Sequence, residues 1–133
     1  MIPKRRPDGT LPPGIYQAAI TEILAAYPPV NQQRQILNDS LQRVVEELRK
    51  LDPSFVIFVD GSYVTQKAEP NDVDLLIVTT QFSARRIIGY LDQICPVEAV
   101  SLDITVEPAL PSVVFDLFTE TRRGKSKGII QLQ

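Results

Sequence analysis

Two short apolar runs limit the fold of this chain more than any other feature of its sequence. They are SFVIFVD at 54–60 and DVDLLIVTT at 72–80, the second of which ends the longer stretch GSYVTQKAEPNDVDLLIVTT. Both runs are continuous and rich in β-forming residues, which is typical of buried strands. A small mixed sheet with helices packed against it would accommodate two such strands.

An amphipathic helix is predicted over about 31–51, immediately before the first run. Its apolar residues fall at i, i+4, i+7, i+8 and i+11, namely Leu37, Leu41, Val44, Val45 and Leu48. The other predicted elements are helices at 17–27, 84–94 and 111–121 and strands at 98–108 and 128–132. Residues 1–14 hold four of the eleven prolines and predict an irregular arm. We expect 15–133 to form a single α+β domain, a small mixed sheet packed with helices.

The composition excludes several kinds of functional site. The chain of 133 residues has no histidine, which excludes Ser-His-Asp and Cys-His catalysis and histidine-based zinc sites. Its single cysteine, Cys95, allows no intramolecular disulfide. Any metal must therefore bind to carboxylates, which favours a hard ion such as Mg²⁺ or Mn²⁺.

The charge and hydropathy patterns bear on partners and location. A net charge of −2 does not indicate a general nucleic-acid-binding surface. No run approaches the roughly 20 apolar residues that cross a bilayer, and no apolar signal core follows the basic N-terminus. We therefore expect a cytoplasmic protein without membrane contact.

Three aspartates are the candidate metal ligands. Asp72 and Asp74 lie two residues apart in a predicted strand, so they share a face, and Asp103 lies in a third predicted strand on the face opposite its apolar row. If these strands are neighbours, three carboxylates converge, an arrangement that is costly without a cation. A pair of Mg²⁺ ions can activate an attacking oxygen and stabilise a leaving phosphate oxygen. Glu107, on the same predicted face, is the alternative third acid.

A Gly-Ser turn is the candidate phosphate-binding element. Gly61 follows the first strand, where a glycine lets a ligand approach the backbone closely. Ser62 can offer a hydroxyl and an N–H to a phosphate, and Lys67 is a plausible cationic partner for phosphate charge. Gly-Ser and Asp-x-Asp are each common by chance, so the conjunction carries the hypothesis.

The conjunction resembles the motif of the nucleotidyltransferase superfamily, whose fold shares the polymerase-β palm core. That motif is a hydrophobic strand, Gly-Ser, a spacer, and Asp-hydrophobic-Asp-hydrophobic, here Gly61-Ser62, nine residues and Asp72-Val73-Asp74-Leu75. The start LPPG, the block FVDGSYVTQKAEPNDVD and the late Lys127-Gly128 also resemble a small bacterial group of minimal nucleotidyltransferases often paired with toxin genes. One departure is Asp60, where the superfamily usually has an apolar residue, so it is either a turn cap or an added acid near the site.

The resemblance implies roles for these residues. Asp72 and Asp74 would bind the metals that carry a nucleoside triphosphate, Asp103 would bind the catalytic metal and help deprotonate the acceptor, and Gly61 and Ser62 would hold the β- and γ-phosphates. The implied reaction moves a nucleoside monophosphate to an acceptor hydroxyl on a protein such as a toxin, an RNA end or a small molecule. The alternative is an inactive, antitoxin-like or regulatory module that acts by partner contact.

Overall fold

The computed structural model of the protein describes residues 2–79, 82–94, 100–105 and 128–133, with the backbone alone at 94 and 100–105. The helices are α1 (Ile20–Ala26), α2 (Gln32–Leu51) and α3 (Ala84–Ile94), and a 3-10 turn spans Ser62–Val64. The strands are β1 (Gly14–Ala18), β2 (Val56–Asp60), β3 (Val73–Val78), β4 (Val100–Thr105) and β5 (Gly128–Leu132). The predicted helix at 111–121 and the basic residues at 122–127 lie outside the described residues.

The five described strands form one mixed sheet in the order β1-β5-β2-β3-β4. The pairs β2–β3 and β2–β5 are antiparallel, whereas β1–β5 and β3–β4 are parallel. The β2–β3 register runs from Val56↔Val78 to Asp60↔Asp74. Together with the helices, this sheet confirms the predicted α+β class.

The sheet buries apolar side chains on both faces, which explains the continuous apolar runs in β2 and β3. On one face, Ile57, Val59, Leu75 and Ile77 join the main core with the stripe of α2 and with Ile87 and Leu91 of α3. The residues that alternate with them pack in a second cluster, made of Phe58, Leu76, Val78 and Ile129. Because successive side chains of a strand point to opposite faces, this second cluster lies on the other face of the sheet.

The first part of the chain differs from its prediction. The helix predicted at 17–27 begins at Ile20, because Gln17 and Ala18 belong to β1. That strand pairs with β5 at the far end of the chain, from Gly14↔Gly128 to Ala18↔Leu132. Local sequence is a weak guide to strands whose partners are distant, since side-chain packing outweighs intrinsic propensity.

The arm before β1, at 2–13, has no helix or strand, but hydrogen bonds and a buried side chain anchor it to the rest of the structure. Leu11 is buried in the main core, and its carbonyl accepts a hydrogen bond from Gly128 N at 3.1 Å. The carbonyl of Gly9 accepts one from Gln66 N, also at 3.1 Å. The arm therefore connects the C-terminal strand with the segment that follows the Gly-Ser turn.

In the part of the chain that the structure describes, no helix combines the length and the apolar character needed to cross a membrane.

The buried stripe of α2 should carry much of the stability. Leu41 is fully buried, whereas its neighbour Gln42 is exposed. We expect Leu41→Ala to lower the free energy of unfolding by about 2–5 kcal/mol, through lost burial and a residual cavity. Gln42→Ala should stay within about 0.5 kcal/mol of wild type. Urea denaturation measures both, and equal stability of the two variants would contradict this packing.

Candidate functional site

The Gly-Ser turn lies directly against the carboxyl group of Asp74. Gly61 follows β2 with φ +78° and ψ −167°, a conformation that is essentially restricted to glycine. A Cβ atom at this position would overlap Oδ2 of Asp74 and would lie 2.9 Å from its Cγ. The missing side chain therefore gives the carboxyl group of the neighbouring strand its place over the turn.

A second carboxyl group, that of Asp60, belongs to the same site. Asp60 is the last residue of β2, is 3% exposed and pairs in register with Asp74. Register partners of an antiparallel pair share a sheet face, and two carboxylates directly opposite each other are destabilising. Of the two readings of Asp60, its position fits the added acid, and a cation between the two groups would offset their repulsion.

The other two predicted acids are Asp72, whose side chain the structure describes, and Asp103, of which it describes only the backbone. Asp72 is half-buried and lies one residue before β3. Asp103 pairs in register with Leu76, two positions beyond Ser101, the partner of Asp74. The structure thus confirms that β3 and β4 are neighbours, but the side chain of Asp103 lies outside the described residues, as does Glu107. Within the described residues, no three acidic or cysteine side chains form a group that could hold a metal ion.

Ser62 and Lys67, the two other predicted ligand residues, lie in different surroundings. Ser62 is half-buried at the start of the 3-10 turn, and its carbonyl accepts hydrogen bonds from Thr65 N at 3.2 Å and Thr65 Oγ1 at 2.6 Å. Lys67 is exposed and lines a cavity whose described lining includes neither the Gly-Ser turn nor Asp72 and Asp74. The structure therefore brings together Gly61, Ser62 and Asp74, and it directs Lys67 elsewhere.

Arg34 fixes the spacer, the nine residues at 63–71 that separate Ser62 from Asp72. Its side chain, 4% exposed, donates hydrogen bonds to three spacer carbonyls. Nη1 bonds Tyr63 O at 2.6 Å, while Nη2 bonds Thr65 O at 2.9 Å and Lys67 O at 2.7 Å. The sequence analysis did not identify this residue. The available signal was its position three residues before Leu37, which places it on the buried apolar stripe of α2.

Two neighbours of Arg34 in the first turn of α2 extend the same pattern. Asn31 caps the helix by accepting a hydrogen bond from Arg34 N, and its Nδ2 donates to Ala68 O at 2.7 Å. Gln33 donates to Pro70 O at 2.8 Å and to Asn71 O at 3.3 Å. Three side chains from one helical turn thus bind carbonyls along the whole spacer, and this fixes how the Gly-Ser turn approaches β3.

Two tyrosine rings lie against the buried guanidinium of Arg34. Its carbon lies 5.1 Å from the ring centre of Tyr63 and 5.7 Å from that of Tyr27. Burial lowers the pKa of Arg34, and the two tyrosines oppose that shift. Burial raises the pKa of both tyrosines, whose hydroxyls donate hydrogen bonds to Asn38 Oδ1 and Val64 O. The cation is therefore satisfied by carbonyl dipoles and π faces.

Removing the Arg34 side chain should loosen the spacer. We expect Arg34→Met to lower the free energy of unfolding by about 2–4 kcal/mol, because one buried and two partly buried carbonyls lose a charged donor. Arg43→Met, on an exposed position of the same helix, should change it by about 0.5 kcal/mol or less. Urea denaturation gives the stabilities, and amide hydrogen exchange over 63–71 should accelerate in Arg34→Met alone. An unchanged exchange rate at 63–71 would contradict the role of Arg34 in holding the spacer.

Two glycines offer a matched test of the turn. Gly61→Ala should destabilise by about 1–3 kcal/mol, because alanine strains the backbone at this φ and displaces the Asp74 carboxyl group. Gly89→Ala, in α3 where a Cβ has open space, should stabilise by about 0.5–1 kcal/mol. Thermal unfolding followed by circular dichroism compares the two. Shifts in the same direction would contradict the described turn.

Comparison with known proteins places this sequence in a family. Searches of curated proteins and of solved structures each give no match. A family described as a family of unknown function (DUF6932) matches residues 3–133. The matched range includes the arm, the Gly-Ser turn, the spacer with its α2 contacts, and β5. The chain therefore belongs to this family of unknown function, DUF6932.

Proposed function

We propose that the protein is a minimal Mg²⁺-dependent nucleotidyltransferase, which moves a nucleoside monophosphate from a nucleoside triphosphate to an acceptor hydroxyl. The observation that carries the proposal is the contact between the Gly61 backbone and the carboxyl group of Asp74. A glycine-containing turn can offer backbone N–H groups to phosphate oxygens, and an adjacent acid can bind the cation that accompanies them.

The donor set fits a hard cation. Asp60 and Asp74 are register partners with carboxylate oxygens, and Asp72 lies just before the same strand. Oxygen ligands of this kind suit Mg²⁺ or Mn²⁺. We propose Asp72 and Asp74 as the ligands, with Asp103 as the further acid from β4. When bound, the metal would supply neutralisation of phosphate charge and a more acidic acceptor hydroxyl.

The proposed reaction is an in-line displacement at phosphorus. The acceptor oxygen forms a bond to the α-phosphorus, the bond from that phosphorus to the oxygen bridging the β-phosphate breaks, and pyrophosphate leaves with the electron pair. The hydroxyl proton passes to a carboxylate, a role that we assign to Asp103. The backbone N–H groups of the Gly61-Ser62 turn and the Ser62 hydroxyl would hold the β- and γ-phosphates.

Arg34 serves this site as a positioning residue. Its guanidinium bonds spacer carbonyls and therefore acts on the Gly-Ser turn and on Asp72 through the backbone between them. Catalysis by positioning is sensitive to small displacements, because reacting groups must be held close to the productive geometry.

The acceptor and the location follow from the reaction class. A nucleoside triphosphate is an intracellular metabolite, so we propose that the protein acts in the cytoplasm. The acceptor hydroxyl belongs to a partner protein such as a toxin, an RNA end or a small molecule. The second candidate, an inactive binding module that neutralises a partner by contact, is distinguished from the enzyme by the following experiment.

Ligand-dependent stability tests the site without knowledge of the acceptor. Mg²⁺ with a non-hydrolysable nucleoside triphosphate should stabilise the wild-type protein, by about 2.7 kcal/mol at a ligand concentration 100-fold above Kd. Asp72→Asn with Asp74→Asn should abolish this effect, and the stability of the ligand-free double variant, measured alongside, shows that the loss is not a loss of folding. Asp39→Asn, an exposed acid on α2, is the control and should respond like wild type.

Transfer of label from an α-labelled triphosphate to a co-purifying acceptor then separates enzyme from binding module. The double variant should lose transfer by about 100-fold or more. If millimolar triphosphate and Mg²⁺ leave the wild-type stability unchanged, the enzyme proposal is wrong. If the double variant inhibits a bound partner as well as wild type does, the binding module is the correct function.

A further inference from the structure

A cavity of about 410 Å³ lies between the N-terminal arm, the connection from α1 to α2, and the spacer. From its lining we propose that it binds a small organic anion, a phosphate or carboxylate group on a compact apolar body. This site is separate from the proposed triphosphate site and does not depend on the proposed function.

Three cationic side chains line the cavity, those of Arg5, Arg34 and Lys67. The described lining contains no acidic residue. Arg5 Nε is buried and has no hydrogen-bond partner among the described residues. Arg5 Nη1 reaches Ala26 O only at 3.4 Å, close to the limit of a hydrogen bond. Lys67 is exposed, and the described part of the chain gives its ammonium no ion pair. Lys67 thus holds donors that an anion can use, and the half-buried Arg5 brings a guanidinium group to the same lining.

Mutual repulsion of the two arginines gives a second reason for an anion. The guanidinium carbons of Arg5 and Arg34 lie 5.2 Å and 5.7 Å from the same ring centre, that of Tyr27. Both terminal nitrogens of Arg34 donate hydrogen bonds to spacer carbonyls. Arg34 therefore contributes positive charge at the cavity wall rather than a direct hydrogen bond to the ligand. The charge of Arg5 is among the causes that lower the pKa of Arg34, so the two cations repel each other, and a bound anion would offset that cost.

The rest of the lining sets the size and character of the ligand. Ala26, Pro28, Val30 and Ala68 give the cavity apolar walls, and its volume falls in the range of sites for small molecules. Guanidinium and ammonium groups both recognise phosphate and carboxylate, and the arginine fork suits either geometry. A planar or compact apolar body carrying one such group therefore matches the cavity.

The cavity also touches the element that connects the two halves of the triphosphate site. Thr65, Gln66 and Lys67 line it and belong to the spacer. The backbone N–H of Gln66 donates a hydrogen bond to the carbonyl of Gly9, which belongs to the same arm as Arg5. An anion bridging Arg5 and Lys67 would therefore tie the arm to the spacer.

Titration with matched small probes tests the inference. The probes are phenyl phosphate and benzoate, with benzyl alcohol as the neutral control, and the readout is the amide chemical shifts of 65–68 in ¹⁵N-labelled full-length protein. Saturable shifts are expected with at least one anion and none with the alcohol. The tighter of the two anions identifies phosphate or carboxylate as the preferred group.

Variants locate the binding. Lys67→Met changes an exposed residue and should weaken the preferred probe by about tenfold, the loss of one charge-assisted contact. Arg5→Met should do the same, and Arg5→Lys, which keeps the charge, should restore part of the affinity. Lys4→Met, an exposed neighbour outside the described lining, should bind as wild type does.

Three results would overturn the inference: benzyl alcohol binding as well as the anions, no saturable shift with either anion, or affinity unaffected by Lys67→Met and Arg5→Met. Asp72→Asn with Asp74→Asn should retain the probe, whatever happens to triphosphate binding. Loss of probe binding in that variant would show that the probe binds near Asp72 and Asp74 instead of in the cavity, and this result would also refute the proposal.

Discussion

The interaction on which the candidate site depends is the set of hydrogen bonds from buried Arg34 to the spacer carbonyls. A spacer of nine residues without a long regular element would otherwise leave the Gly-Ser turn and Asp72 loosely related. A charged donor buried among carbonyls and tyrosine rings is specific, because moving the spacer would leave the charge unsatisfied. The first turn of α2, packed through its apolar stripe, thereby transmits the rigidity of the core to the turn.

The spacer also separates charges of opposite sign. Asp60, Asp72 and Asp74 lie at the ends of β2 and β3, where we propose a cation site. Arg5 and Lys67 line a cavity against the spacer, where an anion is favoured. A net charge of −2 conceals this division, since composition records how many charges a chain has but nothing of how they are grouped. The two proposed sites are thus compatible with each other, and spacer residues line the second of them.

Local patterns predicted the elements whose signal is local. The stripe of α2 located that helix to within one residue at its start, and α3 and the final strand have the predicted bounds. The continuous runs of β2 and β3 located those strands because both of their faces are buried. The strand β1 escaped prediction because its partner β5 is at the other end of the chain. Arg34 escaped because its partners are backbone carbonyls, which every sequence has.

The sequence by itself determined the α+β class, the Gly-Ser turn and the positions of the acids along the strands, because these follow from periodicity and from residue chemistry. Only the tertiary structure decided that Asp60 pairs with Asp74, that Gly61 must lack a side chain beneath that carboxyl group, and that Lys67 turns towards a cationic cavity. These facts depend on strand register and on contacts between distant segments. The register is selected when the apolar faces of neighbouring strands pack together, and a local sequence pattern does not contain that information.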